Sequence, residues 1–113
     1  MSAIEGYNSK LGEPLKSVAD RLAERLEQGL PEAEGRLWHA HPVWLAGKNP
    51  VAGYKSFPRW VTLLFWQGQR FPDGAGLSPS GAGEMASVKV TSVDQLDTLP
   101  IDDWLARAAE LGG

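Results

Sequence analysis

Apolar residues recur along this chain first at helical spacing, then at strand spacing, then at helical spacing again. From Pro14 onward, Leu15, Val18, Leu22 and Leu26 step by three and four with Ala19 between them, which is one face of an amphipathic helix. Pro14 suits the first turn, where its missing N–H costs nothing, and Gly29 suits a left-handed residue after the last turn. Residues 1–12 are polar, include Gly6 and Gly12, and read as a flexible lead-in to a single domain over residues 13–113. Leu30-Pro31 opens a short turn that ends at Gly35.

The period changes at Arg36. Leu37 to Ala46 reads as one extended segment, interrupted by Pro42, which cannot donate to a ladder. Gly47-Lys48-Asn49-Pro50 is turn chemistry and Val51 to Phe57 a second strand. Trp60 to Gln67 is a third strand, apolar on both faces and therefore central. Residues 68–84, with glycines at 68, 74, 76, 81 and 83, form a long loop. Met85 to Thr91 makes a fourth strand. Ser92 caps a turn through Leu96, and a helix from Pro100 to Leu111, capped by Thr98, turns Ile101, Trp104, Leu105, Ala108 and Leu111 inward. Tight links between strands exclude parallel crossovers. The expected fold is α+β: a two-layer domain with the N-terminal and C-terminal helices on one face of an antiparallel sheet of about four strands.

Charge sharpens this picture. No acid occurs between Glu34 and Asp73, a stretch that carries Arg36, Lys48, Lys55, Arg59 and Arg70 and four of the five tryptophans. That segment is +5, against −3 for residues 1–35 and −5 for residues 73–113. A basic, aromatic sheet between acidic helices follows. The net charge of −3 argues against a general nucleic-acid or membrane binder. With no cysteine there are no disulfides, thiolate zinc sites or cysteine nucleophiles. The longest apolar run, Val61 to Trp66, is far too short to span a membrane, and no secretory leader is visible, so a cytoplasmic protein is expected.

Candidate chemistry is sparse. His39-Ala40-His41 on an extended segment would point both imidazoles to one side, where they could share a metal ion. Asp20, Glu24 and Glu27 lie at i, i+4 and i+7 of the first helix and could attract a hard cation, although Arg21 and Arg25 beside them suit a solvated, ion-paired face. The central basic residues could hold an anion, but pairing with the acidic helices is the preferred reading. The glycine loop lacks the Lys-Ser/Thr and helix of a phosphate loop, and no catalytic triad or nucleophile elbow is signalled.

The run Leu37-Trp38-His39-Ala40-His41-Pro42-Val43-Trp44, then Asn49-Pro50-Val51-Ala52-Gly53-Tyr54-Lys55, then Leu63-Leu64-Phe65-Trp66-Gln67-Gly68-Gln69-Arg70-Phe71, resembles the YdhG-like family. The resemblance covers roughly residues 15–110. It implies a small α+β domain of the YdhG/frataxin-like group and, from one branch, an intracellular iron carrier. Acidic residues of the first helix, here Asp20, Glu24 and Glu27, would then hold the iron.

The residues themselves point first to a non-enzymatic binding module. Its patch would comprise Trp38, His39, His41, Trp44, Tyr54, Lys55, Trp60 and Trp66, on a sheet face that the glycine loop, a small ligand or anion, or a second subunit must cover. The alternatives are the iron carrier and an enzyme with His39 or His41 as general base. No cofactor is called for, iron or another divalent metal being the one candidate, and the candidate partners are a small ligand, an anion or a second copy in a homodimer. No nucleic-acid or membrane partner is expected.

Overall fold

The computed structural model describes residues 3–71, 76–79 and 83–111. The elements run α1 (Ala3–Ser9), α2 (Leu15–Gly29), β1 (Glu34–Trp38), β2 (His41–Ala46), β3 (Asn49–Ser56), β4 (Val61–Phe65), a short 3-10 turn (Gly68–Arg70), β5 (Ser78–Pro79), β6 (Ala86–Val90), α3 (Val93–Asp97) and α4 (Ile101–Leu111). The six strands make one antiparallel sheet in the order β1-β2-β3-β4-β6-β5. The α+β class is as expected; the strand count is six, not about four. One added strand comes from the expected segment Leu37–Ala46, which is two strands, and the other is β5, inside the expected glycine loop.

The first of these differences lies in a turn. Trp38 pairs with His41, so His39-Ala40 is a two-residue hairpin loop. Both residues have positive φ, 52° and 70°. Such a turn matches the twist of the flanking strands but ordinarily uses Asn-Gly or Asp-Gly. His-Ala carries no such signal, and Ala40 is strained there because its Cβ crowds the carbonyl. The next hairpin, with Ala46 opposite Asn49, uses Gly47 at φ 66°.

Strand alternation sends one row of side chains toward the helices. Trp44 lies opposite Ala52, Tyr54 opposite Leu63, Ala52 opposite Phe65 and Val61 opposite Val90. These join Val18, Ala19, Leu22 and Leu26 of α2, Leu96 of α3, and Ile101, Trp104, Leu105 and Ala108 of α4 in one buried cluster. The predicted stripe of α2 is thus the buried one. All four helices contribute to this cluster, so they share one face of the sheet. Gly29 does not adopt the left-handed conformation expected of it. Its missing side chain lets α4 approach instead: a Cβ there would lie 2.6 Å from Leu105 Cδ1. Ser92 caps α3 by accepting from the Gln95 N–H. Thr98 closes α3, its hydroxyl donating to the Gln95 carbonyl, rather than opening α4 as expected.

The expected lead-in contains a helix. Ile4 and Asn8 of α1, one turn apart, are both buried. Asn8 accepts from the Tyr54 hydroxyl at 2.8 Å and donates to Asp20 at 3.1 Å, tying α1 to the sheet and to α2 at once. Tyr7 adds a second tie, its hydroxyl accepting from the Ser56 N–H at 2.9 Å. A helix of seven residues is marginal alone, so these contacts hold it. Burial pushes the Tyr54 hydroxyl well above the usual tyrosine pKa, so it stays a donor.

Removing the Asn8 amide strands a buried hydroxyl, and Asn8→Ala should lower the unfolding free energy by about 1–3 kcal/mol in urea titration. Tyr54→Phe should then cost much less in the Asn8→Ala background than in the parent protein. Equal costs in the two backgrounds would show that the bond contributes nothing. Ala40→Gly, which relieves the left-handed turn, should raise stability by up to about 1 kcal/mol.

Candidate functional site on the helix-free face of the sheet

The side chains that alternate away from the helices define the opposite face. Arg36 lies opposite Val43, Val43 opposite Gly53, Gly53 opposite Leu64 and Leu64 opposite Ser87, a row across five strands. The neighbouring row holds Trp38 opposite His41, and Lys55, Thr62 and Lys89 in register on β3, β4 and β6. No described helix contributes to this side. Of the expected covering loop, the described residues Phe71 and Leu77 join the helix-side core and Ser78–Pro79 extend the sheet edge. Residues 72–75 and 80–82, which include Gly74, Ala75, Gly81 and Ala82 of that expected cover, lie outside the described residues.

The face covers part of itself. Val43 and Leu45 are buried yet stand apart from the helix-side cluster. Trp38 belongs to β1 and Trp66 follows β4, yet their rings meet edge to face with centroids 5.9 Å apart. They must therefore cross above β2 and β3, roofing the apolar row between them. His39 stacks edge-on against Trp38 at 4.2 Å. At the other end the surface is open and cationic. Lys89 Nζ sits 4.5 Å from the centre of the Trp60 ring, and Lys55 Nζ 5.5 Å from that of Phe57. Phe57 and Trp60 stack at 5.2 Å. The Trp60 indole N–H donates to the Thr62 hydroxyl oxygen at 2.9 Å, fixing the ring and leaving the Thr62 O–H to donate.

The eight-residue patch read from sequence is therefore divided. Trp38, His39, His41, Lys55, Trp60 and Trp66 belong to the helix-free side. Trp44 and Tyr54 do not: each is 1% exposed within the core, with the Trp44 indole N–H donating to Glu27 at 2.9 Å. Thr62 and Lys89 were missed by the sequence reading. Their signal was Thr62 itself, the one polar residue within an apolar strand, whose alternation marks the outer side.

The one extended segment from which a shared metal at His39 and His41 was read is a hairpin, so i, i+2 strand alternation does not relate the two imidazoles. His39 stands in the left-handed turn and His41 begins the return strand. Of the acidic set, Asp20 is engaged by Lys16 at 2.8 Å and by Asn8, and Glu27 by Trp44. With Glu24 they line an open groove of about 910 Å³ between α1, α2 and β1, with Trp44 in its wall. Among the described residues, no three His, Asp or Glu side chains are grouped so as to hold a metal ion.

The charge pattern also differs from the expected one. The acidic helices find partners in their own arginines: Arg21 pairs with Asp97 at 3.0 Å and Arg25 with Asp102 at 3.1 Å. Within the basic segment, Arg36 pairs with Glu34 beside it, and Arg70 with Glu84 at 3.8 Å. Lys48, Lys55, Arg59 and Lys89 make no ion pair among the described residues. His41 lies between Trp38 and Lys55 in this row, and its Nδ1 is buried without a hydrogen bond among the described residues. Burial holds its pKa below the ordinary histidine value; the charges of Lys55 and His39 act in the same sense, and backbone groups of Pro42 and Tyr54 oppose them.

No family model, curated protein or solved structure matches the chain. The YdhG-like resemblance therefore rests on the motif residues that carry it. No described helix is long and apolar enough to cross a membrane.

A depressed histidine pKa means that the unfolded chain binds the proton more tightly than the folded one. The stability tied to neutral His41 is present above the unfolded value of 6.5 and is lost as pH falls through the lower folded value. Thermal unfolding from pH 7.5 to 4.5 should show a steeper loss in the parent than in His41→Gln. Parallel curves would show that the imidazole is not desolvated.

Proposed function

We propose that this protein is a binding module whose recognition surface is the open end of the helix-free face, and that it takes a small organic anion bearing a planar ring. One observation carries the reading: Lys55 and Lys89 flank the Thr62 hydroxyl in a single register row, with no carboxylate paired to either among the described residues and the Trp60 and Phe57 rings beside them. Two ammonium groups and a hydroxyl donor suit a carboxylate, phosphate or sulfate. The roofing indoles and the Phe57–Trp60 stack supply flat apolar walls for the ring. The charge segregation supports the same polarity, because the helical layer repels what the sheet attracts.

The iron-carrier alternative, suggested by the YdhG-like resemblance, has less in the geometry to support it. Asp20 and Glu27 already serve protein donors. For the enzyme alternative, the charged groups acting on His41 are Lys55 and His39, with no carboxylate among them to orient the imidazole as a base.

A direct test uses 2-naphthoate as the probe and its methyl ester as the control, with binding followed by tryptophan fluorescence and amide chemical shifts. The acid should bind and the ester should not. Charge-assisted hydrogen bonds contribute about 1.5–3 kcal/mol, so Lys55→Ala with Lys89→Ala should weaken the acid by at least about tenfold. Added salt should weaken it as well. Equal binding of acid and ester, or an indifferent double variant, would end the proposal.

A further inference from the structure

The free edge of β1 carries a different message. β1 pairs with β2 on one side only, and its residues are exposed or half-exposed along the whole strand. A five-residue edge with unpaired backbone groups is a template for another strand. Its side chains state which strand. Glu34 and Arg36 bracket Gly35, and their mutual contact puts both on the same side of β1.

We infer that β1 pairs antiparallel with β1 of a second copy, in the register centred on Gly35, to give a two-fold dimer with one continuous sheet. In that register Glu34 of each copy stands directly opposite Arg36 of the other, and both carboxylates gain a cross-strand guanidinium. Leu37, 38% exposed and one of two large exposed apolar side chains among the described residues, comes to lie opposite Ala33. Slipping the centre by one residue either way sets Glu34 against Glu34 or Arg36 against Arg36. Like charges directly opposite are unfavourable, so the charge order selects one register. A two-fold axis normal to the sheet also keeps all the helices on one side and both cationic rows on the other. Face-to-face pairing of the helix-free surfaces would instead bring two cationic surfaces together. A second copy at the edge therefore suits the charges better than one on the face. A five-residue strand buries less than a standard interface, so the dimer is weak and concentration-dependent.

Charge reversal tests this inference independently of any ligand. Sedimentation velocity from micromolar to millimolar concentration should show a reversible shift from monomer to dimer in the parent chain. Arg36→Glu alone and Glu34→Arg alone should each weaken the association by at least about tenfold, because each opposes like charges. The exchanged pair Glu34→Arg with Arg36→Glu should restore it. Unchanged circular dichroism in each single variant separates lost pairing from lost folding, which these exposed positions make straightforward. A parent chain that stays monomeric at millimolar concentration would overturn the inference. So would single reversals that leave association unchanged, or an exchanged pair that fails to restore it.

Discussion

Packing of all four helices against a single side of the sheet is the constraint from which the rest of this molecule follows. Trp44, Tyr54, Leu63 and Phe65 alternate inward on β2, β3 and β4 and meet all four helices in one cluster. Filling that layer commits the intervening residues to the other side, since a strand cannot turn two consecutive side chains the same way without a bulge. Among the described pairings, the register shifts where β2 and β3 slip between Trp44 and Leu45. There Val51 and Ala52 both reach the core cluster while Leu45 falls outside it. Gly35 belongs to the same constraint: a Cβ would sit 2.7 Å from the Trp44 ring, so β1 can close against β2 only without a side chain at that position.

The opposite side then has two tasks that its sequence divides. One end buries itself, with Trp38 and Trp66 meeting above the middle strands. The other remains wet and positive, with lysines lying over aromatic rings, an arrangement in which the cation keeps its hydration and its access to an anion. Electrostatic segregation is thus produced by the fold: the basic residues fall mainly on strands and their turns, and the acids on helices that hold their own arginines.

Much of this was legible from the chain, and the failures have physical causes. The stripe Val18, Leu22, Leu26 and the terminal helix were readable because a period near 3.6 sustained over several turns fits a helix and cannot fit a strand. The β1–β2 hairpin was hidden because His39-Ala40 is an improbable pair for two left-handed positions. Reading through it as one strand is what related the two imidazoles by strand alternation. α1 was hidden because it is held by Asn8 and Tyr7, polar partners contributed by long-range contacts that local periodicity does not register. Trp44 and Tyr54 were grouped with the surface tryptophans because composition cannot say which face an aromatic takes; only the register does. Thr62 and Lys89 escaped for the same reason.

Trp38, Trp60 and Trp66 stand half-buried on a face that no described helix covers, while Trp44 and Trp104 are sealed between helices and sheet. Fluorine NMR of protein labelled with 5-fluorotryptophan, titrated with a soluble paramagnetic agent, addresses all five indoles together. Strong broadening is expected at the first three positions, with sharp, unaffected signals from Trp44 and Trp104. Uniform protection of all five, or broadening at Trp44, would contradict it.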